Sequence, residues 1–289
     1  MTAIDPFLYI SLLGGFVAGR LVRRKIRWIE TATIATVVLL IGLLGSTLSN
    51  VPVETLAATI PLAFGFAGLV LGVTVGLVAI LPKPKGANGS SQASPRRELP
   101  IGFILLVALA VGYLVGRAVA VPSAGLITYS LYALLGLVGF DLRLSVRPLR
   151  NVWIPVLAAV AAAFLSAGLI ILINASYARV LLPTALAFGW YSLAGPLVAA
   201  QLGGALGFFA FLSNFLRENL TMLLAPQIGS KVRGEGLAAM GGATAMDTTL
   251  YFVTRYGDTD AGSLALATGL TLTLLAGLLV PLFLSLSGA

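Results

Sequence analysis

The 289-residue chain reads as an all-α polytopic membrane protein with about eight transmembrane helices, two re-entrant broken-helix hairpins and an inverted-topology internal repeat. Three observations lead there. First, 58% of its residues are hydrophobic and only 10% are charged, whereas soluble domains run about 45–50% apolar and about 25% charged. Second, apolar runs of membrane-crossing length, about 17–25 residues, recur along the chain. Third, two short motifs occur twice in the same order. The chain has no Cys and no His, so disulfides, thiolate zinc sites, Ser-His triads and HExxH metal sites are excluded.

Spanning helices are expected near 6–22, 31–49, 56–81, 100–120, 124–141, 152–174, 204–226 and 261–286. The first run is not a cleavable leader, because Asp5 precedes it and Arg20 to Arg27 follow it. Basic residues set the sidedness. Arg20, Arg23, Arg24, Lys25 and Arg27 fill the first loop, Lys83, Lys85, Arg96 and Arg97 the third, and Arg143, Arg147 and Arg150 the fifth. Cytoplasmic loops concentrate Lys and Arg, so these three face the cytoplasm and the N-terminus lies outside.

Two apolar stretches, 184–202 and 236–255, are interrupted by Gly, Pro and small polar residues. If 184–202 enters and leaves on the outer face, Lys231 and Arg233 become cytoplasmic and fourteen of the eighteen basic residues share one side. The same logic lets 236–255 dip in from the cytoplasm, leaving the C-terminus outside. The net charge of +8 is then a topology signal, and nucleic acid is not expected as a partner. Residues 82–99, rich in Pro, Gly and Ser, read as a flexible cytoplasmic linker within one transporter domain spanning 1–289. The linker separates a first repeat (1–81) from a second (100–174), and the remaining motifs lie in 175–289.

The repeat rests on Gly15-Phe16-Val17-Ala18-Gly19-Arg20 matching Gly112-Tyr113-Leu114-Val115-Gly116-Arg117, and Gly42-Leu43-Leu44-Gly45 matching Gly136-Leu137-Val138-Gly139, at offsets of 97 and 94 residues. Generic small-residue helix packing produces G-xxx-G too. Two matches in one order favour duplication, and an odd number of intervening spans inverts the second copy. Inverted repeats with discontinuous helices at mid-membrane are typical of secondary transporters.

Ionisable residues inside apolar segments are few. Asp141, with Arg143 two residues on, ends its helix and reads equally well as an interfacial charge; its counterpart in the first repeat is Thr47. In Phe211–Thr221, Asn214, Glu218 and Thr221 share a helix face, with Arg217 to one side. A charge at that depth costs about 2.5–3.5 kcal/mol on insertion scales, so a partner or an aqueous cavity is required. Neighbours on a helix point about 100° apart, so Arg217 and Glu218 do not readily pair with each other. A buried ion pair fixing helix packing is the structural alternative. Asp247 lies in Gly241-Gly242-Ala243-Thr244-Ala245-Met246-Asp247-Thr248-Thr249, poor helix sequence whose freed backbone groups become ligands only where they line a cavity. Gly189-Trp190-Tyr191-Ser192-Leu193-Ala194-Gly195-Pro196 has the same character. Trp190 and Tyr191 read as pocket wall in preference to an interfacial belt, and the two tips are expected to meet near Glu218.

GWYSLAG at 189–195, FLSNFLREN at 211–219 and GGATAMD at 241–247 resemble, in order and spacing, the signature stretches of the LysO-type lysine exporters. The strong matches cover about the last third of the chain. The resemblance implies export of L-lysine and its toxic analogues across the cell membrane, outward N- and C-termini, and dependence on two intramembrane acids, Glu218 and Asp247. Ala245 stands where a Ser is common and Tyr251 where a Pro often follows; both departures bear on hairpin shape. In this reading Glu218 and Asp247 bind the cationic substrate or the coupling proton. Arg217 or hairpin N–H groups take the carboxylate, and Asn214, Trp190, Tyr191, Ser192, Thr244 and Thr248 complete the substrate site. No metal or cofactor is expected beyond a proton gradient, the partners are L-lysine, protons and the bilayer, and the oligomeric state, a homo-oligomer included, is left open. The main alternative is a monovalent cation/proton antiporter using the same acids. An intramembrane aspartyl hydrolase would need a GxGD segment, which Gly139-Phe140-Asp141 is not.

Overall fold

The computed structural model describes residues 6–22, 27–80, 101–141, 151–257 and 261–286, and these form eleven α-helices and two short 3-10 turns, with no strand among them. The predicted linker 82–99, most of the basic loop residues and Arg143 lie outside the described residues, as does the side chain of Asp141, which ends its helix. The helices are α1 (Pro6–Val22), α2 (Arg27–Leu48), α3 (Val53–Ile80), α4 (Ile101–Ala118), α5 (Ser123–Asp141) and α6 (Trp153–Ile173). They continue as α7 (Ala178–Ala185), α8 (Tyr191–Leu202), α9 (Gly204–Gly241), α10 (Leu250–Tyr256) and α11 (Ala261–Leu286).

Four segments among the described residues are long and apolar enough to cross a bilayer: Thr31–Leu48, Val53–Ile80, Trp153–Ile173 and Ala261–Leu286. Ile10–Val22, Ile104–Ala118 and Gly125–Leu137 are shorter apolar helices. Large apolar side chains such as Leu13, Leu21, Leu62, Leu114 and Leu172 are exposed on the outside, the surface a lipid solvent accepts and water does not. This is a multi-pass membrane protein. The main departure from expectation is α9, which does not end near residue 226. Pro226 lies inside it, and the helix runs on to a break at Arg233 (φ 61°, ψ −171°) before a second arm closes at Gly241. Proline removes one hydrogen bond, and in membrane helices neighbouring segments re-satisfy the freed group.

Between apolar helices in lipid, close van der Waals packing does what hydrophobic burial does in water, so small residues sit at the contacts. A methyl group built on Gly15 would strike the backbone of Gly136, and one on Gly19 that of Phe140; Gly139 is closed in by Leu12 and Phe16. That is the α1–α5 seam. In the α2–α4 seam, Gly112 meets Gly42, Gly116 meets Ser46, and Gly45 is closed in by Leu109 and Tyr113. Under the sequence match of the two motifs, each contact of one seam maps onto a contact of the other. Beyond these pairs, α3 packs along α9, α8 also lies against α9, and α11 covers the second 3-10 turn. Leu12, Leu40, Leu131, Leu135, Phe188, Leu193, Leu272 and Val280 belong to the main buried cluster, and smaller clusters take in α4 and α10.

Replacing Gly112 by Val puts a side chain where the α2 backbone lies; overpacking costs about 1–3 kcal/mol. Thermal unfolding in detergent should therefore show a lowered Tm for Gly112→Val. The same change at Gly72, which has nothing within 4 Å of an added Cβ, should leave Tm unchanged.

Candidate functional site

The two interrupted stretches both fold as helix–turn–helix, and their turns meet. In the first, α7 gives way at Leu186 to a turn in which Phe188 (φ 51°) and Gly189 (φ 94°) both take left-handed backbone before α8 begins. In the second, α9 closes at Gly242 (φ 64°), followed by a 3-10 turn over Gly242–Met246 and then α10. The Ala243 N–H donates to Phe188 O at 2.8 Å. A side chain on Gly242 would collide with Phe188 O, so glycine is required there by both conformation and space.

Helix α9 holds this crossing. Asn214 accepts from the Gly189 N–H (2.8 Å) and donates to Thr184 O (3.0 Å) and Ala210 O (2.9 Å), clamping the first turn. Arg217, one helical turn on, donates from Nη2 to Ala239 O (3.0 Å) and from Nε to Met240 O (3.3 Å), capping the second arm of α9. Thr221 Oγ1 sits 2.8 Å from Arg217 O and 3.2 Å from Met240 O. A guanidinium suits the carbonyl-rich end of a helix.

Glu218 points elsewhere. It is 5% exposed, its Oε2 has no hydrogen-bond partner, and it lines a cavity of about 190 Å³ beside the crossing. Asp247 lines the same cavity, on an exposed corner after the 3-10 turn. Thr248 lines the cavity with both acids, and its N–H donates to Asp247 Oδ1 at 2.6 Å and its hydroxyl to the same oxygen at 3.2 Å. Gly189, Trp190, Tyr191 and Ser192 form a second wall, with the Tyr191 ring set edge-on against Phe211 and Phe215. Thr244 also lines the cavity, and its hydroxyl donates to Gly241 O at 2.9 Å.

Of the residues expected in the site, Glu218, Asp247, Trp190, Tyr191, Ser192, Thr244 and Thr248 thus come together around one cavity. Asn214 and Arg217 do not line it. They border a separate void of about 10 Å³ with Thr184 and Ser213, behind the crossing. Arg217 forms no ion pair among the described residues, and the ion pair found there is Arg233–Glu235, at 4.0 Å. Sequence reasoning missed the contributions of Thr33, Ile34 and Val37 from α2, Leu105 from α4, Leu134 from α5 and Thr273 from α11. Thr33 and Thr273 were the only hints, as polar residues in apolar helices. Thr33 bonds its own helix at Ile29 O, a placement indistinguishable in sequence from ordinary helix threonines. No group of three or more acids that could hold a metal ion occurs among the described residues.

Replacing Asn214 by Leu leaves the Gly189 N–H and Thr184 O buried without partners, at about 1–3 kcal/mol each. The variant should melt well below wild type, and an unchanged Tm would show that the clamp is not needed.

Residues 105–284 match the family model described as lysine exporter LysO. The lysine exporter LysO of Escherichia coli is 32% identical over 200 residues, covering 67% of this chain and 66% of that protein. A candidate lysine exporter of Haemophilus influenzae is 32% identical over 96 residues, covering 33% of this chain and 49% of its own. The chain thus spans slightly less than two thirds of the first relative and about half of the second. No solved structure matches it. The family is one of transporters, not of enzymes, and with most of the helical bundle and both interrupted stretches inside the matched segment, the chain belongs to the lysine exporter LysO family.

Proposed function

We propose that the protein exports L-lysine from the cytoplasm through the cavity between its two interrupted segments. Glu218 and Asp247 receive the substrate's ammonium groups, and inward protons are the counter-cargo. The observation that carries this is a buried carboxyl, Glu218, with an unpartnered oxygen facing a cavity that it shares with a second acid. A buried acid is held in such a place only when a cation, a proton or water completes it. Lysine at neutral pH offers two ammonium groups and a stem that the faces of Trp190 and Tyr191 can flank. Two acids in one cavity resist ionising together, so the empty site retains a proton that the cationic substrate displaces. This couples outward lysine to inward protons.

The same reading takes 184–202 and 236–255 as hairpins entering from opposite sides. Both termini lie outside, and residues 1–81 and 100–174 are inverted copies. The contact-for-contact correspondence of the two glycine seams supports the repeat, and the basic loop residues support the orientation.

Proteoliposomes preloaded with unlabelled lysine should accumulate labelled lysine by counterflow. Glu218→Gln should lose at least about 100-fold, as expected when a desolvated charge pair is broken, and Asp247→Asn should also lose counterflow. At clamped membrane potential an inward proton gradient should speed lysine movement; indifference to the gradient would remove the proton from the mechanism. Absence of lysine counterflow in protein that exchanges monovalent cations for protons would replace the lysine reading with cation antiport.

A further inference from the structure

The cavity that carries Glu218 and Asp247 has an opposite wall with opposite chemistry. Helix α8 begins at Tyr191 with Trp190 ahead of it, and no side chain caps that end. The Tyr191 N–H turns back to Gly189 O (2.9 Å), and those of Leu193 and Ala194 go to Trp190 O (3.2 and 3.0 Å). The Ser192 N–H has no such bond, and its hydroxyl finds no protein partner among the described residues. Ser192 is 4% exposed and lines the cavity. Two donors on one residue, more than nine-tenths buried, are therefore without a protein partner at the cavity wall. They lie at the positive end of a twelve-residue helix with no acid in its first turn. Arg217, the guanidinium nearest in sequence to Glu218, gives Nε and Nη2 to Met240 O and Ala239 O, keeps a buried Nη1 without a partner, and lies outside the cavity lining.

We infer that the first turn of α8, through the N–H and hydroxyl of Ser192, is the carboxylate subsite, so that the transporter accepts amino acids with a free α-carboxylate and rejects the corresponding diamines. This rests on the lysine reading above and adds to it a direction. The carboxylate lies at α8 and the ammonium groups toward Glu218 and Asp247. A helix N-terminus binds carboxylates through aligned N–H groups and its dipole, and in membrane transporters discontinuous helices do this at mid-membrane. A ligand without the carboxylate leaves buried donors unmatched, and sites built around buried polar groups discriminate strongly against ligands that lack the partner. The competing occupant of the same donors is a water molecule, which would leave the site indifferent to the substrate's carboxylate.

The test is displacement of labelled lysine from the purified full-length protein by unlabelled lysine, by cadaverine (its decarboxylated diamine) and by lysinamide. Wild type should bind both carboxylate-free ligands about 10- to 100-fold more weakly than lysine, the range set by one or two hydrogen bonds to a charged group. Ser192→Ala should weaken lysine about 10-fold, the loss of one such bond, and leave cadaverine unchanged. Ser192→Asp should invert the preference in favour of cadaverine. Cadaverine competing as well as lysine in wild type, or Ser192 variants moving both ligands in parallel, would overturn the subsite while the lysine reading stands. Failure of wild type to bind lysine at all would instead remove the lysine reading, and the subsite with it. The wild-type comparison decides the matter even if a Ser192 variant does not fold.

Discussion

Backbone that is neither helix nor strand cannot stay unpaired in an apolar interior, and here a single helix supplies the partners. Asn214 closes the turn at Phe188–Gly189 and Arg217 closes the end of the second arm of α9. The two turns then join directly through Ala243 N–H and Phe188 O. Asn214 and Arg217, expected from the sequence to contribute to the substrate site, are thus largely a fastening. Its charged member, Arg217, has its Nε and Nη2 bonded to backbone carbonyls. Glu218, one residue on, is rotated away from that fastening and lines the cavity instead. One helix therefore holds the broken backbone in place and turns an acid toward the cavity.

The outer helices serve the same end by a different interaction. The α1–α5 and α2–α4 seams are made by glycines that let backbones touch, and their partner helices α2, α4 and α5 each contribute to the cavity wall. The site is therefore composite. Its acids come from α9 and from the turn after it, its free N–H from α8, and its apolar wall from the glycine-packed helices. A cavity assembled from separate helices is one that relative movement of those helices can open and close.

Much of the bundle was legible because span length and apolar runs are one-dimensional properties; α1 coincides with its predicted 6–22. The interruptions were legible too, since Gly, Pro and Thr clustered within an apolar run disfavour continuous helix. What the sequence could not reveal was direction. A helical wheel places Asn214, Arg217, Glu218 and Thr221 near one another but does not say which neighbour each meets, and it suggested a substrate role for Arg217 that the capping bonds do not favour. The continuation of α9 past Pro226 escaped for a related reason, because proline signals a break whose repair depends on neighbouring segments. Thr33, Leu105, Leu134 and Thr273 were unreadable as site residues, since a cavity wall on an apolar helix looks like any other apolar face.

The most direct test of the account is a structure of the purified protein determined at saturating lysine. Lysine should lie in the 190 Å³ cavity, its ammonium groups at Glu218 and Asp247, with Asn214 and Arg217 still bonded to the turns behind it. Lysine bound elsewhere, or an Arg217 swung into the cavity to meet the ligand, would contradict it.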